Sequence, residues 1–460
     1  MKNIYLFLCF QCLNIVLVHS QVWTAQNVGI PTNVQMFNVS APDSKTVWVS
    51  GFAGTFHTQP WTYFNGNTTV ARSTDGGLSW LQSTFDAGDG GAITSLFALD
   101  SQIAWATCVN YGIGGKVFKT QDGGISWKYQ PTANFTKSFL GSGFANWIYF
   151  WNPNEGVCMG DPINGIYEIF RTTDGGNNWS RQPAAYLSSA LPNEIGYFEM
   201  YGVKGDTIWF GTSSGRIFRS INRGQNWKAY SSGLSEINAL AFSKREDVGI
   251  AFSNYFLAAT YYSKVSFTQN GGETWTSPTK TSFSDQFVFD VTFVPESNYI
   301  VVTTTIDMSN GPFNTYLSRD NGLSWTQIEN KTPITRVRFV NPRVGYGGGH
   351  KNSTASISTL YRYTGTSLTG LLTPSVLEAN INLSPNPTAD QLNIQLAYKE
   401  ASNFRLNINN LLGELVYFED FKNVSNINKS LNIKHLPSGT YIVTIANPVG
   451  NLSRKIVKTE

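Results

Sequence analysis

Ser73-Thr-Asp-Gly-Gly-Leu-Ser-Trp80 is one of six near-copies in the 460-residue chain. The others are Thr120-Gln-Asp-Gly-Gly-Ile-Ser-Trp127, Thr172-Thr-Asp-Gly-Gly-Asn-Asn-Trp179, Ser220-Ile-Asn-Arg-Gly-Gln-Asn-Trp227, Thr268-Gln-Asn-Gly-Gly-Glu-Thr-Trp275 and Ser318-Arg-Asp-Asn-Gly-Leu-Ser-Trp325. Successive tryptophans lie 47, 52, 48, 48 and 50 residues apart. A steady period of this length marks a repeat architecture.

Each copy reads as the turn of a β-hairpin. A strand leads in, as in Lys116-Val-Phe-Lys119. The Asp or Asn at position three folds its side chain onto nearby backbone N–H groups. The glycine at position five takes a positive φ. The tryptophan opens the return strand and packs back over the hairpin. Asp75, Asp122, Asp174, Asn222, Asn270 and Asp320 are therefore expected to be structural, together with Trp80, Trp127, Trp179, Trp227, Trp275 and Trp325.

Seven short apolar strands, not six, recur upstream of the turns, among them Val47-Trp48-Val49, Ala104-Trp105-Ala106, Ile208-Trp209-Phe210 and Gly345-Tyr346-Gly347. Another strand precedes each, such as Ile93-Thr-Ser-Leu-Phe97. Four strands per period make propeller blades. The seventh unit has a third strand at Thr359-Leu-Tyr-Arg-Tyr363 but no closing tryptophan. Trp23-Thr24-Ala25-Gln26 mirrors Trp325-Thr326-Gln327-Ile328, so the N-terminal segment is expected to supply the missing outer strand. That closes the ring and removes an exposed edge.

The remaining sequence bounds location and class. Hydrophobic residues make up 41% and charged residues 14%, too little charge for a disordered chain. Glycine (42), tryptophan (13), tyrosine (21) and phenylalanine (30) fit a turn-rich all-β protein. A net charge of +3, evenly spread, argues against nucleic acid as a partner. Lys2 followed by the apolar run Ile4 to Val18 and then Val18-His19-Ser20 reads as a signal peptide over residues 1–20, with Gln21 the new N-terminus. No other stretch has transmembrane length. After cleavage two cysteines remain, Cys108 and Cys158; export permits a disulfide, and the alternative is two buried small apolar groups.

The period stops after residue 370. A linker at 372–381 leads to alternating strands at Leu392/Ile394/Leu396, Leu406/Ile408, Val416/Phe418, Leu431/Ile433, Tyr441/Val443/Ile445 and Ile456. These predict a small antiparallel β-sandwich over 382–460. The whole is read as all-β: a seven-bladed β-propeller over 21–371, then the sandwich.

The repeated turns resemble the Asp-box (BNR) repeats of sialidase-like and sortilin-like propellers. With the preceding tryptophan-bearing strand they also resemble the photosystem II assembly-factor type of repeat, over residues 21 to about 370. Three segments carry a second resemblance: Leu383-Ser-Pro-Asn-Pro-Thr-Ala-Asp390, Asn409-Asn-Leu-Leu-Gly-Glu-Leu-Val416 and Leu436-Pro-Ser-Gly-Thr-Tyr-Ile-Val443. With the final Lys455-Ile-Val-Lys458 they resemble the type A C-terminal sorting domain of the type IX (Por) secretion system. That resemblance implies the type IX machinery as a partner through 382–460, passage across the outer membrane, and a secreted or cell-surface location. The signal peptide, found independently, is its required companion.

Asp-box propellers host many functions, so function has to come from a site. The face opposite the boxes bears the links between second and third strands and between blades. Its candidate ligand-binding side chains are His57, Trp61, Tyr63 and Phe64 in the long Phe52–Asn67 link, and Tyr255 and Tyr262 in the fifth unit. Rings among amides and carboxylates suit sugars or peptides, although loop aromatics also pack on their own blade. Asp161 is the leading candidate acid, because it directly follows an apolar strand; a turn cap ahead of Pro162 is the alternative. Asp86, Asp89 and Glu194 are candidate partners for the second carboxylate that a glycoside hydrolase needs.

Arg72, Arg171, Arg219 and Arg362 share one repeat position and so do not form a sialidase arginine cluster. His57, His350 and His435 are too scattered for zinc, and no phosphate loop or other cofactor signature is present. Two classes follow: a binding or scaffold module for an extracellular glycan or protein, and a glycan-active hydrolase or lyase.

Overall fold

The structure, a computed structural model, describes residues 22–30, 35–52, 68–88, 91–109, 114–136, 143–257, 260–277, 283, 285–307, 311–350, 359–365, 368, 380–410, 415–447 and 450–460. The signal segment lies outside these residues, as does most of the linker.

Seven antiparallel sheets follow one another along the chain. Their first strands are Gln35–Ser40, Ala92–Ala98, Ala145–Phe150, Gly196–Lys204, Ala239–Phe242, Phe287–Phe293 and Ile334–Asn341. Each first strand packs against the next, and the seventh returns to the first, so the sheets form a closed ring with these strands innermost. Six sheets have four strands. In blade 5 the outer strand shrinks to a single bridge between Phe267 and Thr276.

The ring closes through the N-terminal segment. Trp23–Gln26 pairs antiparallel with Leu360–Tyr363, in the register Trp23 to Tyr363 and Gln26 to Leu360. Trp23 is fully buried, edge-on to Phe339 at 6.0 Å and Tyr363 at 5.3 Å. Glu329 of blade 6 accepts the Val22 N–H at 3.1 Å.

The six boxes share one backbone turn, and in four of them the tryptophan indole donates to the glycine carbonyl at position five. In blade 1 an Asp75 oxygen accepts the N–H groups of Leu78 and Ser79, each at 2.9 Å, and Ser73 Oγ accepts the Gly77 N–H at 2.8 Å. Trp80 Nε1 donates to the Gly77 carbonyl at 3.1 Å. Hydrogen bonds from the Ser126 hydroxyl and N–H hold the Asp122 carboxyl down to about 2. Position four also has positive φ, including at Arg223 and Asn321, and in the first five copies its N–H donates to the inner turn of the same blade, as from Gly123 to the Gln102 carbonyl. Position five is glycine in every copy for a second reason. A Cβ on Gly124 would lie 3.0 Å from the Trp48 ring of the preceding blade, and one on Gly272 3.1 Å from Trp209.

The basic residue just before the box has a physical role too. Arg72 donates to the Ser101 carbonyl, Lys119 to Gly175 at 2.9 Å and Arg171 to Arg223 at 2.8 Å. Arg219 pairs with Glu273 at 2.9 Å. Each clasps the turns of the next blade, which explains the repeated position.

Cys108 and Cys158 are free thiols, buried in the second strands of blades 2 and 3. Burial pushes both thiols far above their ordinary pKa.

The C-terminal unit is one sheet of five strands: Asn380–Ser384, Gln391–Asn410, Leu415–Asn432, Gly439–Asn447 and Gly450–Lys458. The separate strands read at Leu392/Ile394/Leu396 and Leu406/Ile408 are one long strand, whose register shifts between Ala397 and Phe404. Its first half pairs with Asn380–Ser384 and its second with Gly439–Asn447. Leu392, Ile394, Leu406, Ile408, Val443, Ile445 and Ile456 from both halves share one core, so the two layers of the sandwich arise from a folded-over sheet approaching a barrel. A parallel bridge between Thr388 and Lys458 ties its rim.

Candidate functional site

The candidate acids come first. Asp161 sits where the second strand of blade 3 slips register, between Gly160 and Pro162. The bulge turns its carboxyl inward, leaving 7% of the residue exposed. One oxygen accepts Asn146 Nδ2 at 2.7 Å and the Gly196 N–H at 2.9 Å. Burial dominates and pushes its pKa up to about 7. Glu194, 1% exposed, is paired with Arg216 and accepts the Thr212 hydroxyl at 2.6 Å and the Leu191 N–H at 2.8 Å. Burial opposes its ionisation, yet these donors hold its carboxyl below the ordinary value. Asp86 is exposed and accepts the Gly88 N–H of its own turn at 2.7 Å. Asp89 lies outside the described residues.

The Asp161 environment predicts a pH signature. A carboxyl in the unfolded chain ionises near ~3.9. Between that value and about 7 the folded chain holds a proton that the unfolded chain has lost. Stability from this group is therefore full at low pH and declines as pH rises to about 7. Asp161→Asn keeps an oxygen for Asn146 and Gly196 and removes the charge. Its thermal midpoint should match wild type near about pH 4 and exceed it by several degrees near about pH 8. Melts across that range check it; a variant less stable than wild type at the alkaline end contradicts the assignment.

The loop-face aromatics form a different feature. His57, Trp61, Tyr63 and Phe64 lie outside the described residues. In blade 5 the strands Gly249–Leu257 and Thr260–Thr268 form a long hairpin that pairs Tyr255 with Tyr262, Phe256 with Tyr261 and Leu257 with Thr260. Tyr255 and Tyr262 stack at 5.2 Å, and Phe256 meets Tyr261 at 4.8 Å. The contacts continue from Tyr261 to Phe287 at 5.6 Å and from Phe287 to Phe289 at 5.1 Å. They then run from Phe289 to Phe313 at 6.0 Å and from Phe313 to His350 at 5.3 Å.

The rings from Phe256 and Tyr261 to Phe313 and His350 make a strip across blades 5, 6 and 7, on the face opposite the boxes; Tyr255 and Tyr262, their neighbours in the two strands, point from the other side of the hairpin and stack apart from it. Phe256 and Leu257 are each 62% exposed and Tyr255 38%. Tyr261, Tyr262, Phe287, Phe289 and His350 are half-buried, and Phe313 is buried. Lys264 Nζ lies 5.3 Å over the Tyr255 ring. Sequence reasoning had singled out Tyr255 and Tyr262. It missed Phe287, Phe289, Phe313 and His350, which look like ordinary strand residues. The available signal was Phe287-Val-Phe289: two aromatic rings flanking a buried valine at the start of an innermost strand.

The axis is filled by residues from separate blades. Phe37, Phe144 and Phe198 meet there. Arg338 pairs with Asp290 at 2.7 Å, Arg336 approaches Asp290 at 3.9 Å, and the Arg336 guanidinium lies 4.1 Å from the Phe37 ring centre. Glu199 of blade 4 accepts the Leu96 N–H of blade 2 at 3.0 Å, bridging blades that are not neighbours. Burial raises the Glu199 carboxyl pKa. Among the described residues no three His, Cys, Asp or Glu side chains are grouped to hold a metal ion, and no helix is long and apolar enough to cross a membrane.

Comparison with known proteins separates the two units. Residues 382–459 match the secretion system C-terminal sorting domain family, and residues 106–334 match the photosynthesis system II assembly factor YCF48 family. Photosystem II stability/assembly factor HCF136, chloroplastic, of Arabidopsis thaliana is 29% identical over 140 residues, 30% of this chain and 31% of that protein. Photosystem II assembly lipoprotein Ycf48 of Synechococcus sp. is 26% identical over 192 residues, 35% of this chain and 55% of that protein. The chain thus spans only about a third to a half of the length of these curated relatives. The solved structure titled YCF48 bound to D1 peptide aligns with a TM-score of 0.51 at 19% identity, covering 75% of this chain and 97% of that one. This likeness is one of fold. The sorting domain marks the chain as a type IX secreted, cell-surface or extracellular protein and implies interaction with that machinery.

Proposed function

We propose that this type IX secreted propeller is a non-catalytic binding module whose loop face holds an extracellular ligand, glycan or protein, on the aromatic strip. The exposed ring of Phe256, continuous through Tyr261 with those of blades 6 and 7, carries this reading. Contiguous exposed apolar surface of this kind marks interaction sites. The rings are already ordered against one another across the hairpin, so binding freezes little additional motion. The glycosidase alternative needs two carboxyls facing one scissile bond. Asp161 is instead enclosed by Asn146 and Gly196, and Glu194 is neutralised by Arg216. The YCF48 structure with a bound peptide is compatible with an extended partner on this fold.

The test is retention of the purified chain on washed cells and secreted matrix of the producing organism. Wild type is expected to be retained, and Tyr255→Ser/Phe256→Ser largely released at an unchanged melting temperature. Full retention of the folded double variant overturns the proposal.

A further inference from the structure

We infer that the type IX machinery takes hold of the sorting domain by adding an extended strand to the outer edge of Leu415–Asn432. This is independent of the loop-face reading above.

The C-terminal sheet has three rims, and two of them are short or capped. Asn380–Ser384 has only five residues. Along Gly450–Lys458 the last outward groups are taken. Asn386 Nδ2 donates to the Lys455 carbonyl at 3.0 Å, and Asn386 Oδ1 accepts the Val457 N–H at 2.9 Å. The Thr388 N–H donates to the Val457 carbonyl at 2.9 Å. The third rim is the 18-residue strand Leu415–Asn432, which pairs with Gln391–Asn410 along one edge.

Register fixes which of its backbone groups look outward. Asn432 lies opposite Gln391, and the Ile433 N–H donates to the Asp390 carbonyl at 2.8 Å. Hydrogen-bonded and non-hydrogen-bonded pairs alternate along an antiparallel ladder. Ile427, Lys429 and Leu431 therefore bond the neighbouring strand, and the N–H and C=O groups of Asn426, Asn428, Ser430 and Asn432 point away from it. Among the described residues no other backbone pairs with these four. An edge of this kind is a template for a further strand.

The side chains describe the strand that fits. Asn426, Asn428, Ser430 and Asn432 are exposed and neutral. Ile427 and Leu431, which alternate with them, belong to the core of the sheet. Lys429, on the same side, is neutralised by Glu419 at 2.8 Å. An added segment thus meets apolar neighbours on one face and neutral polar ones on the other, so it alternates in the same way.

The sorting-domain match makes the export machinery a partner of this unit. A second copy fits the edge poorly. Antiparallel pairing of two copies through all four outward residues sets Asn428 opposite Ser430, and then Lys429 falls directly opposite its own counterpart. Like charges directly opposite destabilise a sheet. A strand of different sequence escapes that clash.

The experiment places Asn428→Pro/Ser430→Pro in the full chain in the producing organism. Proline removes two outward donors and leaves the ladder to Gln391–Asn410 intact, because neither N–H belongs to it. Export is expected to be lost, with the chain accumulating in the periplasm at a melting temperature close to wild type. Asn428→Lys/Ser430→Lys keeps every N–H and crowds the edge with charge. It should lower export several-fold, and it decides the matter if the proline pair does not fold. A folded variant of either kind exported as well as wild type overturns the inference. Light scattering should find the purified full chain monomeric. A dimer that the lysine pair dissolves would give the edge to a second copy and overturn the assignment to the machinery.

Discussion

Deleting residues 22–30 should lower the melting temperature more than any single substitution in the propeller. The deletion removes the outer strand of blade 7 and exposes Leu360–Tyr363 as an unpaired edge. It also removes Trp23, Val28 and Ile30, which pack into the cores at the seam between the last blade and the first. Trp23→Ala alone should cost about 3–5 kcal/mol, the range for emptying a buried aromatic site. Its ring has no exposed surface, and its neighbours Phe339 and Tyr363 are held by strands that cannot collapse into the gap. Calorimetry on the full chain and the truncated chain measures both effects. A truncated chain that melts with the intact one would mean that the ring holds without its clasp.

The second large effect is expected at the axis. Arg338→Met should destabilise the propeller by about 3–5 kcal/mol, because it leaves the buried Asp290 carboxylate without its close partner. Arg336, at 3.9 Å, is too distant to replace it fully. The paired change Arg338→Met with Asp290→Asn should recover much of the loss, since the charge and its counter-charge leave together. Asp290→Asn keeps an oxygen for the Val337 N–H, which Asp290 now accepts at 2.9 Å. Denaturant melts of the two singles and the double form the cycle. Equal stability of Arg338→Met and wild type would show that the network contributes nothing.

These two predictions differ in how far the sequence anticipated them. The strand supplied by Trp23–Gln26 was legible, because its spacing to the next strand copies that after Trp325. The axial network was not: Leu96 and Glu199 are 103 residues apart, and neither belongs to a motif. The same contrast holds at the surface. Tyr255 and Tyr262 stand out in one unit but pair on the other side of the hairpin, while Phe289, Phe313 and His350 line up with Phe256 and Tyr261 only because the ring brings blades 6 and 7 alongside. In the C-terminal sheet, alternation showed which residues face inward but not where strands end. A register shift at Ala397–Phe404 bends a strand without disturbing that alternation.

By itself the sequence determined the repeat, the number of blades, the manner of closure and the presence of a sorting domain. Those depend on short-range chemistry: an acid or amide bonding backbone within four residues, a glycine with positive φ, and the distance to the next copy. Only the tertiary structure decided that Asp161 is buried, that Glu194 is neutralised, and that rings from three blades make one surface. Burial and electrostatic partnership are set by whatever side chains the closed ring brings opposite each group, and a linear order does not contain that placement.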